Sequence, residues 1–117
     1  MDFKFINTDY IEEVCGADKE LIIEMVNIFR QQVSEFRSEF NRLYEKKEFY
    51  DLGLMAHKAK SSVAIMGMDE LARKLKELEL KAKAGENMEL YPGYIADFAN
   101  QTGNAIKELD KYLNELE

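Results

Sequence analysis

Few residues in this sequence can do covalent chemistry. There is one histidine, His57, and one cysteine, Cys15. A neutral imidazole nitrogen is a competent nucleophile, and histidine titrates near physiological pH. A single thiol makes neither an internal disulfide nor a zinc site. Cys15 stands at a predicted helix end before Gly16 and reads as a structural residue. A lone histidine on a helix is ordinarily structural too, so the case for His57 rests on its neighbours. Steps of four reach Gly53 and Ser61, and a step of seven reaches Ala64. All three are small where a helix surface ordinarily carries long side chains. Two readings of this ridge are open: another molecule comes close to the imidazole, or a neighbouring helix crosses tightly. Lys60, three residues on, shares the face of His57. Its ammonium would attract a phosphoryl dianion. Lys58 points about 100° away.

Helices position these residues, because every strong periodicity here is helical. A short first helix starts near Thr8, with Thr8 or Asp9 as its cap, and stops at Gly16. Asp18 caps a long second helix with the apolar stripe Ile22, Met25, Phe29, Val33, Phe36, Phe40 and Leu43. A break falls near residues 45–48. The third helix runs from about Phe49 to Met66, with Leu52, Met55, Ala56, Ala59, Val63 and Met66 inward, and ends at Gly67. One residue past Ala56, His57 lies on the flank of that stripe. Asp69 caps a fourth helix carrying Leu71, Leu75, Leu78, Leu80 and Ala82, which ends around Ala84-Gly85. Pro92 suits the first turn of a fifth, which runs to the C-terminus and is weakened locally by Gly93 and Gly103. The expectation is an all-α protein: an up-and-down antiparallel four-helix bundle with a short additional N-terminal helix, in a single domain over residues 1–117.

Composition narrows the function. The formal net charge of −7 repels phosphate backbones, which argues against nucleic acid as a partner. No stretch approaches a membrane span and the N-terminus is not signal-like, so a cytoplasmic protein is expected. No stripe exceeds what one bundle buries, so a monomer is the default. A carboxylate-bridged metal bundle needs Glu-x-x-His, and Leu54 stands three before His57. No local sequence supports a Cys15–His57 enzyme. No P-loop or phosphate-cradling Gly-rich loop is present, so the chain does not look able to use ATP.

The run Ala56-His57-Lys58-Ala59-Lys60-Ser61-Ser62, with Gly67 ten after the histidine, resembles the signature of histidine phosphotransfer (HPt) domains. The opening Tyr10 to Glu20 and the pair Leu78-Glu79 are similar to the family as well, so the likeness covers nearly the whole chain. Two positions depart from it. Ala59 stands where the family often has Leu, and Ser61 replaces a frequent Gly but stays small and offers a hydroxyl. The resemblance implies a phosphocarrier without kinase activity. His57 would accept a phosphoryl group from a receiver-domain aspartate, or from a kinase, and relay it to a response-regulator aspartate, with Lys60 supplying positive charge. Partners would be the receiver domains of response regulators or hybrid sensor histidine kinases. The chain itself would need no cofactor, since Mg²⁺ would come with the receiver. In the phosphoacceptor domains of chemotaxis kinases a Glu at the spacing of Glu79 bonds the other imidazole nitrogen, which implies the same role here. Gly53, Leu54, Lys60, Ser61 and Ala64 would surround His57 on the docking surface. Leu21 and Ile28 are either exposed contacts for the partner or a widening of the core face. The alternatives are a non-catalytic helical adaptor, or the phosphoacceptor domain of a chemotaxis-type kinase.

Overall fold

The computed structural model describes residues 3–116. Among them every regular element is helical: α1 (Thr8–Cys15), α2 (Lys19–Glu45), α3 (Phe49–Ile65), α4 (Asp69–Ala84) and α5 (Tyr91–Leu116). One 3₁₀ turn, Met88–Leu90, leads into α5, and Pro92 lies in that helix's first turn as expected.

Local chemistry sets the boundaries. Asp18 caps α2, its Oδ1 accepting from the N–H groups of Glu20 (3.1 Å) and Leu21 (3.3 Å). The α1 cap is Asn7, not Thr8 or Asp9. Its Oδ1 accepts from the Tyr10 N–H at 3.1 Å, so the helix begins one residue early. Nor does Asp69 cap α4. It is the first helical residue, and the cap position falls to Met68, which makes no side-chain cap bond. Asp69 and Glu70 act instead through charge at the positive end of the helix dipole. Gly16 and Gly85 end α1 and α4 in the left-handed conformation.

The core is the sum of the inward stripes. Helix α2 buries Ile22, Val26, Phe29, Val33, Phe36, Phe40 and Leu43. Val26 thus joins the expected stripe, while Met25 is only half-buried. In α4, Leu71, Leu75, Leu78 and Ala82 are buried but Leu80 is 58% exposed. Two residues from Leu78 is about 200° around the helix, so Leu80 cannot share its face. Phe98 of α5 meets Phe40 edge-to-face, with ring centroids 5.2 Å apart. Helix α3 packs on α2 and α4, and α5 closes the ring by packing on both of those helices; the α3–α4 interface is the most extensive. Helix α1 packs against α2 and α3.

The chain before α1 is tied down at one end of α3. The Glu108 carboxylate accepts from the backbone N–H groups of Lys4, Phe5 and Ile6, and the Asn7 N–H donates to the Met66 carbonyl at 3.1 Å. Gly67 (φ 76°) permits this. A Cβ there would clash with the Asn7 Cβ.

Candidate functional site

Ala56 and Ala59 are fully buried on the core side of α3, which leaves His57 on the helix flank with its side chain 56% exposed. The ring is nevertheless held. Its Nδ1 lies 3.1 and 3.0 Å from the two carboxylate oxygens of Glu79 on α4. Glu79 is only 7% exposed, a carboxylate set into the α3–α4 interface. Two amines also reach it. Lys83 Nζ donates to Oε2 at 2.9 Å, and Lys60 Nζ stands 3.7 Å from Oε1.

These contacts decide the protonation pattern. Burial pushes the Glu79 carboxyl up, but the Lys83 and His57 hydrogen bonds and the attraction of both groups outweigh it and hold the group at about 2. An ionised carboxylate can only accept hydrogen bonds. In the neutral ring the proton therefore sits on Nδ1, and Nε2 carries the lone pair. These contacts fix the tautomer and leave the Nε2 lone pair on the exposed flank of the helix.

The remaining predicted residues divide between the two sides of His57. Toward α2 lies a groove of about 590 Å³, lined by His57, Lys58 and Ser61 together with Met25, Ile28 and Gln32. Ser62, at its floor, donates to Gln32 Oε1 at 2.9 Å and pins α3 to α2. Ser61 is exposed and Ala64 half-buried. Leu54, Leu21 and Ile28 are exposed, at 40%, 39% and 48%, which settles the second pair as surface and not core. Toward α4 lie Lys60 and Gly53.

Gly53 does not line an open ridge. It is buried, and an added Cβ would come 2.8 Å from Lys83 Cγ and 2.9 Å from the Glu79 carbonyl oxygen. The small ridge thus serves two purposes: a tight helix crossing at Gly53, and open access at Ser61. Gly67 is not beside the imidazole, since ten helical residues span about 15 Å. Lys83 is the site residue that spacing did not single out. Its only sequence signal is a position four after Glu79 on a lysine-rich helix.

A Gly53→Ala variant tests the crossing. Helix propensity alone favours Ala by about 1 kcal/mol. Overpacking against a backbone oxygen costs about 1–3 kcal/mol and should win. Urea unfolding is expected to show net destabilisation, and a gain in stability would mean that α4 moves aside freely.

Among the described residues no helix is long and apolar enough to cross a membrane, and no group of three or more His, Cys, Asp and Glu side chains converges as a metal site would require. A family model described as Hpt domain matches residues 24–117. Comparison with curated proteins and with solved structures gives no match.

Proposed function

The chain belongs to the Hpt domain family, the phosphotransfer modules of two-component signalling, and on that premise we propose that His57 is the phosphorylated residue of a carrier that takes its group from one receiver-domain aspartate and delivers it to another. The observation that carries the reading is the Nδ1–Glu79 bond, which leaves Nε2 as the free nucleophile on an exposed flank. The Nε2 lone pair attacks the phosphorus of an aspartyl phosphate. The N–P bond forms, the P–O bond breaks, and the aspartate carboxylate leaves with the electron pair. The Nδ1 proton stays in place, and the positive charge that develops on the ring is met by Glu79. Reversal on a second receiver returns the ring to neutrality. The receiver brings the Mg²⁺.

The groove between α2 and α3 is the docking surface in this reading. It sets apolar Ile28 and Met25 beside the imidazole and gives a partner small Ser61 to approach over. Short turns and the closed ring of α2 to α5 support an up-and-down antiparallel order for the four long helices, which sets α2 beside α3 along this groove.

Lys60 supplies the charge. Phosphoryl transfer is governed by positioning and charge neutralisation, and a charge-assisted contact of about 1.4 kcal/mol corresponds to about tenfold in rate. Lys60→Met is expected to slow single-turnover transfer by about that factor, with receiver affinity little changed. An unaltered rate would remove Lys60 from the mechanism.

The test of the whole reading is incubation with a panel of phosphorylated receiver domains, followed by intact mass. One added phosphoryl group, acid-labile as a phosphoramidate is, is the expected result. A folded protein that no receiver phosphorylates would turn the reading to a helical adaptor.

A further inference from the structure

The Glu79 carboxylate has more amines than it needs. Lys83 binds it at hydrogen-bond distance, 2.9 Å, whereas Lys60 makes a looser ion pair at 3.7 Å. The Lys83 side chain is 32% exposed, so its stem is mostly covered. What covers it is α3 at Gly53, where an added Cβ would sit 2.8 Å from Lys83 Cγ and 3.2 Å from its backbone nitrogen. The missing side chain at Gly53 is the passage along which Lys83 lies on its way to Glu79.

We infer that Lys83 is a positioning residue: by holding Glu79 through the passage at Gly53, it keeps the His57 Nδ1–H turned inward and leaves the Lys60 ammonium in only a loose pair with Glu79, from which an incoming phosphoryl group can draw it. The inference rests on the phosphoacceptor reading of His57. Without Lys83, the nearest remaining amine is Lys60, and Glu79 would draw it inward. Loss of Lys83 therefore has two consequences. The carboxylate binds the ring less firmly, and the cation meant for the phosphoryl group is diverted.

The test combines Lys83→Met, Lys83→Arg and Lys60→Met in single-turnover transfer from a phosphorylated receiver domain, with His57→Gln as control. Ring ¹⁵N spectra of the unphosphorylated proteins report the tautomer. Lys83→Met is expected to slow transfer about tenfold and to add Nε2–H tautomer to the ring spectrum. Lys83→Arg, which keeps the charge, should recover most of the rate. Lys60→Met should then cost only about twofold in the Lys83→Met background, because coupled residues are not additive. A wild-type rate and an unchanged tautomer in Lys83→Met would overturn the inference, as would fully multiplicative losses in the double variant. Phosphorylation that survives His57→Gln instead removes the phosphoacceptor reading, and the ring spectra still report whether Lys83 sets the tautomer.

Discussion

His57→Gln is expected to abolish phosphoryl uptake altogether while leaving the fold intact. The glutamine amide is close in size to the imidazole and can donate to Glu79 as the Nδ1–H does, so the carboxylate keeps a partner. The replaced side chain is 56% exposed, so little packing is lost, and surface changes of this kind usually stay within about 0.5 kcal/mol. An amide nitrogen has no basic lone pair, so no phosphoramidate forms. The two readouts separate cleanly: urea unfolding should superimpose on that of the unaltered protein, and intact mass should show no added group after exposure to a receiver that phosphorylates the parent. Residual phosphorylation of the variant would place the acceptor elsewhere.

How much of this could be read from the chain follows from the kind of information each feature needs. The helices and their inward faces follow from a 3.6-residue period that is local, so the stripes of α2 and α3 were legible nearly residue by residue. Leu80 is apolar but lies outside the stripe, because Leu78 and Ala82 already define the buried face of α4. The caps of α1 and α4 turn on a single residue of register. Thr8 and Asp69 are good capping types, but each is already the first helical residue, and the cap position falls to Asn7 and Met68 before them. Within the site, His57 and Lys60 were legible because both lie on one helix. Glu79 came from resemblance, since 22 residues of separation carry no geometry of their own. The passage at Gly53 was not legible as such. A glycine required by a side chain of another helix looks the same in sequence as a glycine that leaves room for a partner. Lys83 is illegible for the same reason, because its meaning depends on the α3–α4 register and on a carboxylate buried between them.

Glu79→Gln carries the second large effect, on rate and on acid stability together. On rate, the amide can turn either its oxygen or its nitrogen toward Nδ1. With the nitrogen inward, Nε2 takes the proton and the ring cannot attack; in either pose the charge that develops on the ring goes unmet. A loss of one to two orders of magnitude, roughly, is expected in single-turnover transfer, with Nε2–H tautomer appearing in the ring ¹⁵N spectrum. On stability, the sign follows from proton binding. The Glu79 carboxyl is held at about 2 in the folded protein against an ordinary 4.5. Between those values the unfolded chain binds a proton that the native protein does not, so stability rises with pH. The contribution is fully present above the ordinary carboxylate range and is lost as pH falls through about 2. Allowing for partial solvent screening by the neighbouring exposed groups, its size is on the order of 1–2 kcal/mol. Glutamine cannot titrate. The variant should therefore be less stable than the parent at pH 7, and the two should converge as pH falls through about 2, where the parent's own carboxyl takes up its proton. Unfolding midpoints in urea across pH 2–7 measure this directly. Parallel curves with a constant gap would mean that Glu79 stabilises by packing and not by charge. The same carboxylate would then have no electrostatic hold on the imidazole, and the tautomer argument for His57 would lose its physical basis.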